Sequence, residues 1–367
     1  MEKIRSDYVF LSIVLALLVF GLIMLTSAST PVGLREFNDK YFFVKSQLLL
    51  GVLPGILSLL VFVNLKYKYL KKLAWVIFAV TIISLVLVFI PGIGSSLNTG
   101  SQSWIVLGGY SLQPSEFAKL GLIIFMAYYL SELGEEIEEF SSGFLPALIV
   151  GILPVALVAV QPDLGTTSIL FAVLFGMLFV AGAKWSHMGI LLIAAISAFA
   201  VMIAISPYRS ERLTTFLHPE LDPKGSGYQI NQSFLALGSG GIFGRGLGKS
   251  RQKFEYLPEV HSDSIFAIIG EETGFVITTL VVLAFLSLFI RGFKVAKKAP
   301  DKFARLTVTG IILWLAVQTF VNIGAMVGLM PLTGVPLPFI SHGGTALLSA
   351  LTGVGIILNI SKYQKQA

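Results

Sequence analysis

The stretch Leu257-Pro-Glu-Val-His-Ser-Asp263 sets carboxylates, an imidazole and a hydroxyl within seven residues, just ahead of a long apolar run. Asp263 stands where a wet loop meets an apolar span. Desolvation from the apolar side raises a carboxylate pKa, as a general base near neutral pH requires. Asp is also a good helix N-cap, and spacing alone leaves both readings open. Upstream, Gly238-Ser-Gly-Gly-Ile-Phe-Gly-Arg-Gly-Leu-Gly-Lys-Ser250 suggests a phosphate cradle. It fails as an NTPase loop, because Phe243 occupies the first required Gly position and no apolar strand precedes it. With Arg245 and Lys249 in the stretch and Arg251 and Lys253 after it, an anionic headgroup or pyrophosphate is a suitable ligand. The plain alternative is a re-entrant or surface turn.

Further ionisable residues lie inside apolar stretches, where their cost marks them as candidates for function. Glu116 and Lys119 are three residues apart in Gln113-Pro-Ser-Glu-Phe-Ala-Lys119, on one helix face. They either neutralise each other or face a polar cavity. Asp163, in Gln161-Pro-Asp-Leu-Gly165, sits at a helix boundary and suits a cap. Glu271 and Glu272 are adjacent carboxylates about two turns into a span, which calls for a function or an internal partner. Pro331 to Gly344, with Ser341 and His342 near its end, holds three Pro and three Gly at membrane depth. Such broken backbone is tolerated only within protein or beside a water-filled cavity. The four His show no metal-ligand spacing, and there is no Cys.

These residues are held by an apolar scaffold. Of 367 residues, 55% are hydrophobic and 13% charged, about half the usual charged share. A soluble two-domain enzyme, a disordered chain and a nucleic-acid binder are excluded, despite the net charge of +6. Apolar stretches near 9–28, 43–63, 73–90, 114–131, 145–160, 165–183, 186–206, 264–290, 306–330 and 340–360 make about ten membrane helices. The first is too long for a cleaved signal peptide. Lys and Arg in the short loops put both termini in the cytoplasm: 15 of 26 basic residues then lie inside. The reading is an all-α membrane protein, one polytopic domain over residues 1–367, with a long structured outer loop at 207–263. That loop carries seven basic and six acidic residues.

On Gln113–Lys119, Gln161–Thr166, Gly227–Ser233, Leu257–Glu272 and Asn322–Gly344 the chain resembles the SEDS family (shape, elongation, division and sporulation proteins: RodA, FtsW and SpoVE) over nearly its whole length. The resemblance implies a peptidoglycan glycosyltransferase that polymerises lipid II at the outer face of the bacterial inner membrane. It implies that Asp263 is the essential acid, and carries the family's buried pair onto Glu116 and Lys119. Ser262 replaces the usual Thr and Ser264 a common Phe, and His342 stands where Tyr is usual. The partners implied are lipid II, a class B penicillin-binding protein and other cell-wall synthesis proteins. Arg212, Arg245, Lys249, Glu259, His261 and Ser341 are the expected substrate contacts. A divalent cation, Mg or Mn, is the one candidate cofactor, with Asp263 as base or as its ligand. A lipid flippase or transporter, or a non-catalytic scaffold, are the rival readings. The run Pro219 to Tyr228 and the ending Leu358 to Lys362 lean towards the division type rather than the elongation type.

Overall fold

The structure, a computed structural model, describes residues 6–96, 102–107, 110–205, 207–218, 225–254 and 256–364. Lys3, Arg5, Glu255, Lys365 and residues 219–224 of the division-type run lie outside them. In chain order the helices are α1 (Tyr8–Phe37), α2 (Phe42–Gln47), α3 (Leu53–Asn64), α4 (Lys68–Lys72), α5 (Ala74–Leu87), α6 (Pro114–Leu133) and α7 (Leu145–Val160). They continue with α8 (Leu164–Ala181), α9 (Trp185–Ile205), α10 (Pro207–Leu217), α11 (Ser226–Ser239), α12 (Ile265–Lys297), α13 (Lys302–Met326) and α14 (Gly344–Ser361). A π-helical turn at Leu48–Val52 fuses α2 to α3, and another at Phe140–Phe144 extends α7.

Each of the ten apolar stretches falls on a helix. Eight of these helices are long and apolar enough to cross a membrane. The other two are α5, only 14 residues long, and α6, whose apolar character is lowered by Glu116 and Lys119. A multi-pass membrane protein follows. Local rules set the helix ends. Asp7, Asp163 and Asp301 accept from the backbone N–H three residues on and start α1, α8 and α13. Asn38 and Gly182 end α1 and α8 in left-handed backbone.

Helices α6, α13 and α14 form the inner layer, while α9 exposes nearly its whole apolar surface. Without water there is no hydrophobic drive between spans, so small residues at the contacts decide how close the helices come. A Cβ on Gly55 would meet a Leu351 methyl carbon at 2.5 Å, and one on Gly355 the Leu59 carbonyl at 2.8 Å, so α3 and α14 touch along their backbones. One end of the bundle is tied by polar bonds: Arg291 to Asp7 at 2.8 Å and Tyr67 to Asp301 at 2.6 Å.

At the opposite end is a small antiparallel sheet that the sequence reading lacks, ordered β1 (Gly94–Ser95), β2 (Trp104–Leu107), β3 (Tyr110–Leu112). Ile105 pairs with both Gly94 and Leu112. The segment 207–263 is also more than a surface cap. Its α11 lies against the first part of α12, and a Cβ on Gly240 would meet the Gly270 carbonyl at 2.0 Å. The Gly-rich turn therefore reaches down along α12 rather than resting above it.

Candidate active site

The same end of the bundle holds a cavity of about 1030 Å³. Its wall is assembled from distant stretches: the outer turn of α6 with Gln113 and Phe117, the start of α8 with Asp163, Arg212 of α10, Glu259 with His261 and Ser262, and Met330 to Gly334 with His342.

The broken backbone between α13 and α14 shapes one side. Its polar groups are met by side chains, as backbone at membrane depth demands. Gln318 donates to Pro336 O at 2.9 Å and Asn322 to Val335 O at 2.8 Å. Ser341 Oγ accepts from Leu337 N–H at 2.8 Å. Gln47 donates to Ser341 O at 3.2 Å and accepts from Gly343 N–H at 2.9 Å. Phe339 has left-handed backbone with φ 64°, as does Glu259 with φ 51°. Such strain in bulky or charged residues clusters at functional sites. Gly21 of α1 makes room for this turn, since a Cβ there would meet Phe339 O and Ile340 Cα at 2.6 Å.

Asp263 lies just behind the cavity wall, next to Ser262, and is 8% exposed. Asn322 donates to its main-chain carbonyl at 2.8 Å, fixing the turn to α13. Its Oδ1 is buried without a hydrogen-bond partner among the described residues. Burial, and secondarily the Glu259 carboxylate, push its pKa up to about 7, against the opposing pull of Arg212 and of its own and Ser264's backbone. Asp263 is thus a carboxylate that exchanges its proton near neutrality. Ser264, not Asp263, holds the position before α12, and its side chain caps no helix N–H. The capping alternative for Asp263 is set aside.

His261 and His342 stand together, with ring centroids 5.7 Å apart, and Phe43 stacks against His261 at 4.1 Å. The His342 N–H donates to His261 O at 2.8 Å. Burial lowers both imidazoles to a pKa of about 4. Both are neutral at pH 7, and His261 Nδ1 and His342 Nε2 are buried without a hydrogen-bond partner among the described residues. Among the described residues the cation lining the cavity is Arg212, whose Nη1 donates to Leu332 O at 3.2 Å.

The remaining expected residues divide. Glu259, His261, Arg212 and Asp163 line the cavity, and Asp163 also caps α8. Ser341 is buried beside it as a backbone anchor. Glu116 and Lys119 are a buried ion pair at 2.7 Å beneath the cavity. Lys119 also donates to Gln318 at 2.9 Å, which links the pair to the broken segment. Arg245 and Lys249 are not brought to this cavity. Arg245 turns to Ser239 O and to Glu271 at 3.6 Å. Lys249 is exposed, its stem beside Gly246. The Gly-rich turn spends its N–H groups on Glu271 and Glu272, so among the described residues it is an internal clamp rather than an anion cradle. Gln47, Gln318 and Asn322 also belong to the site, though no sequence motif marks them as site residues. Gln318 and Asn322 carry a signal as amides in an apolar helix, which need polar partners.

Residues 8–366 match the profile of the FtsW, RodA and SpoVE family, described as cell cycle proteins. Stage V sporulation protein E of Bacillus subtilis is 43% identical over 364 residues, covering 99% of both chains. A probable peptidoglycan glycosyltransferase FtsW of Geobacter is 39% identical over 98% of both. A chain in a solved peptidoglycan synthase complex that coordinates polymerization and crosslinking superposes with a TM-score of 0.80 at 28% identity, covering 99% of this chain and 100% of that one. The rod shape determining protein RodA of Thermus thermophilus gives 0.73 at 28% identity, covering 99% of both. The chain belongs to the FtsW, RodA and SpoVE family.

Proposed function

We propose that this protein is a peptidoglycan glycosyltransferase that polymerises lipid II into β-1,4-linked glycan at the outer face of a bacterial inner membrane. The observation that carries the reading is Asp263: a buried carboxylate titrating near pH 7 with a free oxygen, just behind the wall of a large cavity at one end of a membrane bundle. Two relatives of similar length bear on it: an FtsW named a probable peptidoglycan glycosyltransferase, and a chain within a peptidoglycan synthase. Basic residues in the loops at the other end favour cytoplasmic termini, so the cavity opens outward.

The reaction needs one base. Asp263 takes the proton from the 4-hydroxyl of the acceptor GlcNAc as its oxygen attacks C1 of the donor MurNAc with inversion. The C1–O bond to undecaprenyl pyrophosphate breaks, and that group leaves with the bonding pair. It is already a good leaving group, so the second carboxylate that glycosidases use as an acid is dispensable. Arg212 offers positive charge to the departing pyrophosphate. The neutral His261 and His342 suit the uncharged sugar. Any divalent cation would be held by Glu259 with pyrophosphate oxygens, since Mg²⁺ favours one or two carboxylates plus phosphate, which leaves Asp263 as the base. Among the described residues no group of three His, Asp or Glu is gathered for it. It would neutralise charge on the leaving group. A class B penicillin-binding protein is the partner proposed for crosslinking.

The test is purified protein in vesicles given lipid II. Glycan polymer supports this reading. Headgroup translocation without polymer would make it a flippase, and neither would make it a scaffold.

A further inference from the structure

Helix α12 is broken. Gly274 has φ 75° and ψ −179°, so Ile265 to Thr273 is a separate outer half-helix. The Gly-rich turn fills the break. Arg245 and Gly246 N–H donate to Glu271 and Glu272 O at 3.0 and 2.9 Å, and Phe275 N–H donates to Gly241 O at 2.9 Å. A Cβ on Gly274 would meet Gly244 N at 2.2 Å. The two backbones touch, and bonds lost by the helix are remade by the turn.

The side chains of the same two residues then close a clamp. Glu272 accepts from Gly248 N–H at 3.0 Å, Ser250 N–H at 3.3 Å, Lys253 Nζ at 2.8 Å and Ser27 Oγ of α1 at 2.7 Å. Lys253 Nζ donates to Ser27 as well, at 3.0 Å. Glu271 accepts from Arg251 N–H at 2.9 Å, Gln252 N–H at 3.2 Å and Ser250 Oγ, and faces Arg245. Both carboxylates are 1% exposed. None of these groups lines the cavity, so the cluster has no part in the chemistry described above.

Its place in the chain is informative. Lys253 and Glu272 are 19 positions apart, with Asp263 near the middle of the loop they close. Leu257 N–H bonds Gln252 O at 2.9 Å, carrying the clamped strand into the motif. Downstream, the half-helix Ile265 to Thr273 runs from the turn after Asp263 to the clamp. With α12 broken below it, the half-helix takes no alignment from the rest of α12. We propose that Glu272, through Lys253 and Ser27, is a positioning residue that sets how deeply Asp263 is seated against the cavity wall. A buried ion pair and a tie to α1 thus hold a reacting group eight residues of helix and turn away. A displacement of about 1 Å at a reacting group can cost on the order of a hundredfold in rate.

The inference rests on Asp263 being the base. Purified Glu272→Gln and Ser27→Ala are assayed with lipid II across pH, beside Asp263→Asn. Ser27→Ala keeps every charge and serves where Glu272→Gln fails to fold. The charged groups acting on Asp263 are Glu259 and Arg212, and both remain in both variants. Expected for Glu272→Gln is a kcat fall of roughly tenfold or more with KM within about threefold. The acid limb of kcat moves down from near pH 7, because a less deeply seated carboxylate is better hydrated. Ser27→Ala moves both in the same direction by less. A lowered melting temperature with kcat and the acid limb unmoved in the folded variants overturns the proposal and leaves the clamp purely structural. An active Asp263→Asn would instead overturn the base assignment.

Discussion

Asp263 links proton binding to stability, and its sign can be worked out. Its pKa in the fold is about 7, raised from 3.8 mainly by burial. A raised carboxylate holds its proton more tightly folded than unfolded. Its contribution is complete below pH 3.8 and is lost as pH rises through 7. The three-unit difference corresponds to about 4 kcal/mol by pH 8 at 1.36 kcal/mol per unit. Asp263→Asn removes this titration. The variant is therefore expected to match the native protein near pH 4 and to exceed it in stability by up to about 4 kcal/mol at pH 8. Unfolding in detergent, followed for both proteins from pH 4 to 8, reads the difference directly. His261 and His342 also titrate near pH 4, but they are common to both chains and drop out of the comparison. A stability difference flat across this range would refute the reasoning, as would one confined to pH 3–5.

Other perturbations follow from the packing. Gly21→Val should push away Phe339 and Ile340, which leave no room for a Cβ at 2.6 Å; polymer synthesis and melting temperature should both fall, whereas tolerance of Val would show that α1 does not seat this turn. Glu116→Gln or Lys119→Met alone should cost about 3–5 kcal/mol, since each leaves its partner charged and buried, and the double variant should recover part of the loss in yield and melting temperature. Asn322→Ala frees the carbonyls of Asp263 and Val335; at about 1–3 kcal/mol per unmet group it should lower melting temperature and kcat together.

The scaffold was legible because lipid imposes simple rules. Apolar runs of about 20 residues have few alternatives to a helix, and all ten runs fall on helices. Asp263 was legible as a candidate because one side of it reads wet and the other apolar. Whether it caps a helix is a tertiary matter, decided by Ser264 taking the turn before α12. The Gly-rich turn was misleading for the same reason. Its composition suits an anion, but the anions it meets are Glu271 and Glu272, brought to it by the break at Gly274. The small sheet left a signal in the apolar, β-branched run Trp104 to Leu107 followed by a Gly-Gly step before Tyr110, a pair favoured in two-residue hairpin turns. Gln47 shows no such pattern. Only its bonds to Ser341 and Gly343, nearly 300 residues away, reveal its part.

The central claim is that Asp263 is the base for glycan formation. Purified native protein and Asp263→Asn, each shown by melting to be folded, are given lipid II under the same conditions. The account predicts glycan chains from the native protein, with an acid limb near pH 7, and none from Asp263→Asn. Polymer from Asp263→Asn at the native rate would contradict it.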